Sequence, residues 1–259
     1  MMQDVQKILD EMRKAMGANL KPIEEKKYKC FRCQDTGTIF ITEDGITKAM
    51  DCPDCKARRL SAKWLKKSGI STTDYEKYKL DTFIADTPMA KQMKKEAIDF
   101  LQKKDSLGIG FFGKSGGGKT HICIAICQAL NKEHYYWQYR ERIQEIKNAM
   151  YSDAKTYDLL IRQAKEAPCL YIDDLFKGAE VNGKLSQQDL QIMFDIINAR
   201  YIKRHITIIS SEFKFRKILD LDEAIGSRLY EMMMPHVVDV FGENRRLRKK
   251  LNSCIIGIK

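Results

Sequence analysis

Hydrophobic and polar positions run along this chain in two rhythms. Val5, Ile8, Leu9, Met12, Met16 and Leu20 recur at helical spacing and predict an N-terminal amphipathic helix over residues 3–20. Its charged opposite face suits docking, either on its own chain or on a partner. Residues 28–60 hold too few large aliphatics for an independent core. Within them, "QDTGTIFITEDGITKAMD" alternates apolar and polar positions around an acidic-glycine turn, the pattern of a hairpin. From about residue 90 the texture changes. "IGFFG", "HYYWQY", "PCLYIDD", "ITIISS" and "HVVDVFG" read as strands, with amphipathic helices between them. Such alternation predicts an α/β fold, a parallel five-stranded sheet flanked by helices on both faces. "KWLKKSGISTTDYEKYKLDTF" reads as a connector. The expected organisation is therefore an N-terminal helix plus cysteine-bearing module over 1–68, a linker over 69–89 and an α/β domain over 90–259.

The length of 259 residues suits one full domain and a small second module. No apolar run approaches the roughly 20 residues of a membrane span, so no membrane partner is expected. "MMQDVQKILDEMRKAM" mixes both charge signs and lacks an apolar signal block, which makes the cytoplasm the expected compartment. A net charge of +11 favours polyanionic partners, nucleic acid or an acidic protein. Of the eight cysteines, Cys123, Cys127, Cys169 and Cys254 sit in apolar contexts and read as small core residues.

The remaining four are paired. Cys30-x-x-Cys33 and Cys52-x-x-Cys55 are separated by eighteen residues, within the usual spacing of a four-cysteine zinc site. Two such turns complete a tetrahedron, and four thiolates leave no open position, so the expected zinc is structural. Metal binding, on the order of 10–16 kcal/mol in small zinc modules, would stand in for the sparse core. A redox dithiol is the rival reading, but it usually expects a single C-x-x-C. After the second pair, "KARRLSAKWLKK" carries six basic residues in twelve. It reads either as a nucleic-acid contact with Trp64 stacking on a base, or as a basic helix that buries Leu60 and Trp64.

The strongest chemical signal is Gly113, Lys114, Ser115, Gly116, Gly117, Gly118, Lys119 and Thr120, which fit G-x-x-x-x-G-K-[ST] completely. A strand precedes the motif and a helix follows it. Glycines let the backbone wrap so that successive N–H groups face phosphate oxygens, and the helix N-terminus adds its dipole. Lys119 is placed for the β- and γ-phosphates of ATP, and the Thr120 hydroxyl for magnesium. The second half of such a site is a hydrophobic strand ending in acid. "CLYIDD" supplies it, with Asp173 for magnesium and Asp174 to orient and deprotonate water.

"FFGKSGGGKTH", "LYIDDLFKG", "IINARY", "TIISSE", "GSRLYE" and "GENRR", in this order, resemble the AAA+ ATPases. Within them they resemble the DnaC/DnaI-type replicative helicase loaders of bacteria and phages, and the ATP-binding helpers of transposition share several of these marks. The resemblance spans most of residues 28–250. It implies that His121 and Phe83 lie by the bound ATP or ADP, Phe83 within a pre-core segment near the adenine. It also implies a polar γ-phosphate sensor at the end of "TIISSE", where Ser211 is preferred because Glu212 would repel phosphate. Arg228 matches the arginine-finger position, which acts on a neighbouring subunit's site. Arg245 and Arg246 both fit the arginine that senses nucleotide within its own chain. The implied function is an ATP-dependent helicase loader. Such a loader would hydrolyse ATP, grip a hexameric replicative helicase through its N-terminal part, bind single-stranded DNA and form homo-oligomers with ATP. A transposition helper, a nucleoside or small-molecule kinase and a nucleotide-dependent adaptor are the alternatives.

Overall fold

A computed structural model describes residues 28, 30–103, 105–242, 244, 245 and 247. The expected helix over residues 3–20, Arg246, and the side chains of Leu60 and Trp64 lie outside the described residues. Contacts divide the chain into two units that meet between Lys56 and Ala57.

The first unit contains the hairpin of β1 (Thr38–Glu43) and β2 (Ile46–Asp51), paired antiparallel from Thr38 opposite Asp51 to Glu43 opposite Ile46. Asp44 and Gly45 turn the chain with φ of 51° and 77°, the doubly left-handed turn that matches strand twist. Helix α1 (Pro53–Ser68) begins immediately after the hairpin, with Asp54 in its first turn.

The second unit is built on five parallel strands. They are β3 (Gly108–Gly113), β4 (His134–Gln138), β5 (Cys169–Asp173), β8 (Ile206–Ser211) and β9 (Val237–Val240), in the spatial order β4-β5-β8-β3-β9. Between β5 and β8 lies a small hairpin of β6 (Glu180–Val181) and β7 (Lys184–Leu185).

Alternation along each strand builds two cores. Phe112, Leu170, Ile172 and Ile209 point to one face, covered by α5 (Tyr139–Ser152), α6 (Ala154–Glu166), α7 (Gln187–Lys203), α8 (Phe215–Leu221) and α9 (Glu223–Met233). Ile109, Phe111, Tyr171 and Ile208 point to the other, under α3 (Pro88–Gln102) and α4 (Lys119–Ala129). Both faces of the central strands β3, β5 and β8 are buried, which is why these read as largely apolar runs, whereas the edge strands β4 and β9 keep polar positions. Residues 69–89, expected as a linker, hold the short helix α2 (Thr72–Lys77) and contribute Ile70, Phe83 and Met89 to the second core. Thr87 then caps α3 by accepting from Ala90 N–H at 3.2 Å, and Pro88 follows at its first position. Among the described residues, no helix is long and apolar enough to cross a membrane.

Arg200, in the "IINARY" stretch of α7, fixes the start of β8. It is fully buried and donates to the carbonyls of Ala164 (2.8 Å), Ala167 (2.9 Å) and Ile206 (2.5 Å) and to Thr207 Oγ1 (2.9 Å). Burial lowers its pKa to about 10, and it stays charged at neutral pH. The guanidinium thus satisfies carbonyls at the end of α6. Arg200→Met keeps the bulk but strips these donors, and is expected to destabilise the domain by about 2–4 kcal/mol. A urea midpoint that stays at the wild-type value would refute this role for Arg200.

Candidate nucleotide-binding site

Strand order positions the site. β8 pairs with both β3 and β5, so its C-terminal end emerges between the Gly113 turn and Asp173. The crevice at the carboxyl ends of such strands is where open α/β sheets bind ligands. Here it is a cleft of about 740 Å³. Its walls include Ser115, Gly116, Gly118, Lys119, Thr120 and His121 from the glycine-rich turn, with Asp174, Lys177, Glu212 and Arg245 around them.

The turn leaves β3 at Gly113 and enters α4 directly after Gly118, whose φ is 93°. Gly116 has φ of 82°, and a Cβ there would collide with the Asn244 side chain, so only glycine fits. The Arg245 N–H donates to Gly116 O at 3.2 Å, which packs the "GENRR" segment against the turn. Lys119 is 6% exposed, and its ammonium donates to Gly113 O (2.7 Å) and Lys114 O (2.9 Å). Burial lowers its pKa, while the carboxylates of Asp174 and Glu212 pull it back up. The ammonium is thus held by neutral carbonyls that a phosphate can displace.

Asp173 is 6% exposed and accepts from hydroxyls on four elements. Thr120 Oγ1 lies 3.4 Å away, Tyr136 OH 2.9 Å, Tyr171 OH 2.5 Å and Ser210 Oγ 2.5 Å. Burial and the Asp173 charge push both tyrosine pKa values up, so the phenols remain donors. Two ligands of one magnesium ion stand roughly 3 Å apart, so Thr120 and Asp173 fit one hydrated ion between them. Asp174 has φ of 56°, and its N–H donates to Ser210 Oγ at 3.0 Å. Its carboxylate faces the cleft, 2.8 Å from Lys177 Nζ.

Other sequence-derived candidates fall in different places. Ser211, the preferred sensor, is fully buried; it donates to Leu175 O at 2.8 Å and does not line the cleft. Side chains alternate along β8, so Ser210 turns to Asp173, Ser211 to the opposite core, and Glu212 reaches the cleft. Phe83 is buried beneath the turn, edge-on to His121 with centroids 5.1 Å apart, while Thr82 and Ile84 beside it line the cleft. His121 Nε2 lies 3.0 Å from Lys79 O, and burial lowers its pKa. Arg245 donates to Ile84 O at 2.7 Å, pairs with Asp86 and sits over the Phe83 ring. Arg228, on α9, is outside the cleft lining of its own chain. It donates to Asn198 Oδ1 and Ala224 O, both at 2.8 Å, and stacks on Phe194. Sequence reasoning missed Tyr136, Tyr171 and Lys177. Tyr171 was within reach of it, because a residue two before Asp173 shares its face of a strand.

In the first unit, Cys30, Cys33, Cys52 and Cys55 bring their sulfurs within 4.8 Å of one another. Zn–S bonds of about 2.3 Å in a tetrahedron place sulfurs roughly 3.8 Å apart. Cys30 and Cys52 approach to 3.7 Å and Cys33 and Cys55 to 3.3 Å, so the donor set fits a four-thiolate ion. The crowding splits the thiols. Burial raises Cys33, but donation from Cys55 and from the Gly37 N–H brings it down to about 7, while the Cys33 contact pushes Cys55 up to about 12. A cation among the four sulfurs relieves that repulsion. Metal analysis of the purified chain is expected to find about one zinc per chain. A metal-free chain whose hairpin keeps native amide-exchange protection would remove the zinc site.

Residues 56–253 match the family described as IstB-like ATP binding protein, and the chain belongs to that family. The fold around the cleft is thus an IstB-type AAA+ core. The phage-like element PBSX protein XkdC of Bacillus subtilis (strain 168) is 30% identical over 264 residues, covering 95% of this chain and 97% of that protein. Among solved structures, the DnaC helicase loader superposes with a TM-score of 0.54 at 24% identity, over 66% of this chain and 100% of that one. DnaI superposes with a TM-score of 0.55 at 18% identity, over 70% of this chain and 96% of that one. At these identities the two structures share the fold.

Proposed function

We propose that this chain is an ATP-hydrolysing helicase loader. The carrying observation is the gathering of Lys119, Thr120 and Asp174 on one cleft, with Asp173 against Thr120, inside an ATP-binding family fold. In this reading the amides of Gly116, Gly117 and Gly118 and the Lys119 ammonium hold the β- and γ-phosphates of ATP. Thr120 and Asp173 hold magnesium, which supplies charge neutralisation at the phosphates. Tyr136, Tyr171 and Ser210 fix the Asp173 carboxylate so that it need not reorganise when the ion arrives. Asp174 orients and deprotonates the attacking water. Arg245, which lines the cleft, or Arg246 senses the nucleotide from within the chain.

Arg228 is assigned to a neighbouring subunit's site, because in its own chain it stands outside the cleft. Hydrolysis then requires a homo-oligomer, and ADP releases the assembly. The zinc module and N-terminal segment bind a hexameric replicative helicase, and the basic core binds single-stranded DNA, in keeping with a net charge of +11. This assignment of partners extends the likeness to a structure described as a helicase loader. The cytoplasm, where replication machinery works, is the matching compartment.

Lys119→Ala is expected to lower ATPase turnover at least 100-fold, read by phosphate release; wild-type turnover in that variant would overturn the site. Arg228→Ala should still bind ATP yet hydrolyse it at a few per cent of the wild-type rate. Mixing it with Lys119→Ala should recover activity through hybrid interfaces, and an absence of recovery at every ratio would refute a shared site. For the loader reading, the immobilised chain with ATP should retain purified replicative helicase from the same source. Retention of a transposase instead would favour a transposition helper.

A further inference from the structure

The cleft holds a charge arrangement that the roles above leave unused. Lys177, three residues beyond Asp174, places its ammonium 2.8 Å from Asp174 Oδ2 and 2.9 Å from Glu212 Oε1. All three line the nucleotide cleft. Glu212 follows β8 and lines the cleft, while Ser211 before it is turned into the core. A carboxylate there would repel phosphate. Its charge reaches the volume in question, since Asp174 and Glu212 are the strongest charged neighbours of the Lys119 ammonium. Something must offset Glu212 before a triphosphate can enter, and Lys177 does so.

We propose that Lys177 is a further contact to the γ-phosphate in this site, beside Lys119, with Glu212 as its counter-ion, an assignment that rests on the nucleotide reading above. An ammonium has three donors on a rotating head, and two are engaged by Asp174 and Glu212. The Lys177 side chain is 43% exposed and sits on the turn that leaves β5, where its N–H donates to Asp174 O at 3.0 Å. Its stem can therefore swing without disturbing the core. A γ-phosphate oxygen competes with Asp174 for the ammonium. Capture of Lys177 by the phosphate frees the Asp174 carboxylate to accept a hydrogen bond from water, while Glu212 keeps the cation tethered. One lysine thereby couples the presence of the third phosphate to release of the base. ADP lacks that oxygen and leaves Lys177 across Asp174 and Glu212.

The readout is discrimination between triphosphate and diphosphate. Binding of magnesium with ADP, and of magnesium with a β,γ-methylene ATP analogue, is measured by calorimetry on the full chain. Lys177→Met is expected to weaken the analogue about tenfold or more while changing ADP by less than about twofold, and Lys177→Arg should keep most of the analogue affinity. Glu212→Gln, which leaves the cation and removes the repulsion, should strengthen the analogue relative to ADP. In the Glu212→Gln background the Lys177→Met loss should shrink. Equal losses for both nucleotides, no loss, or tighter analogue binding by Lys177→Met would overturn the proposal while leaving the site intact. Glu212→Gln carries the test on its own should Lys177→Met fail to fold, and an unchanged ratio in that variant would likewise sink it. A wild-type chain that binds neither nucleotide would remove the site itself, and the role of Lys177 with it.

Discussion

A carboxylate buried to the extent of Asp173 is tolerated only where hydrogen bonds replace its lost hydration. Four hydroxyls do this here, from the first turn of α4, from β4, from β5 and from β8. Three of them, from Thr120, Tyr136 and Ser210, arrive from other parts of the chain, so the carboxylate fixes the mutual register of elements that are far apart in sequence. The strand order β4-β5-β8-β3-β9 is what permits it. With β8 inserted between β5 and β3, one serine reaches Asp173 while the glycine-rich turn closes over the same crevice. Stability and site geometry therefore depend on one and the same set of contacts.

The two cores on either side of the sheet divide the labour. The face under α3 and α4 carries the phosphate turn and Phe83, and backs the nucleotide cleft directly. The face under α5 to α9 is larger and carries Arg228 and Arg200 at its helices, away from the nucleotide cleft. Arg228 is satisfied by Asn198, Ala224 and the Phe194 ring in its own chain. A role at a second chain's phosphate would have to exchange those contacts.

Much of this was legible in the amino-acid order, for physical reasons. The central strands β3 and β5 are buried throughout and β8 nearly so, and they appear as largely apolar runs, while the edge strands β4 and β9 keep polar positions; all five lie within a residue or two of the segments that the pattern marks. The phosphate turn was legible because its glycines have conformational tasks that no other residue performs, as at Gly116. The hairpin of β1 and β2 was marked by Asp44-Gly45. What stayed hidden depends on which way a side chain turns at a strand end. Ser210, Ser211 and Glu212 are consecutive and all polar, and only the pleat decides that the middle one faces away from the cleft. Lys177 looked like an ordinary loop lysine, because one of its two carboxylate partners, Glu212, reaches it only through the pairing of β5 with β8. Residues 69–89 read as a connector since their apolar positions are widely spaced, yet Ile70, Phe83 and Met89 each fill a separate gap in the second core.

The small hairpin unit poses a different durability problem from the sheet. Its strands leave Phe40, Ile46 and Met50 exposed, and its buried side chains, among the described residues, are Cys30, Cys33 and Cys52, with Ile39 and Cys55 against them. An interior made of sulfur is not held by the exclusion of water from hydrocarbon. With an ion held by the four thiolates, such an interior would be lost to oxidants or chelators that leave a core of packed hydrocarbon untouched.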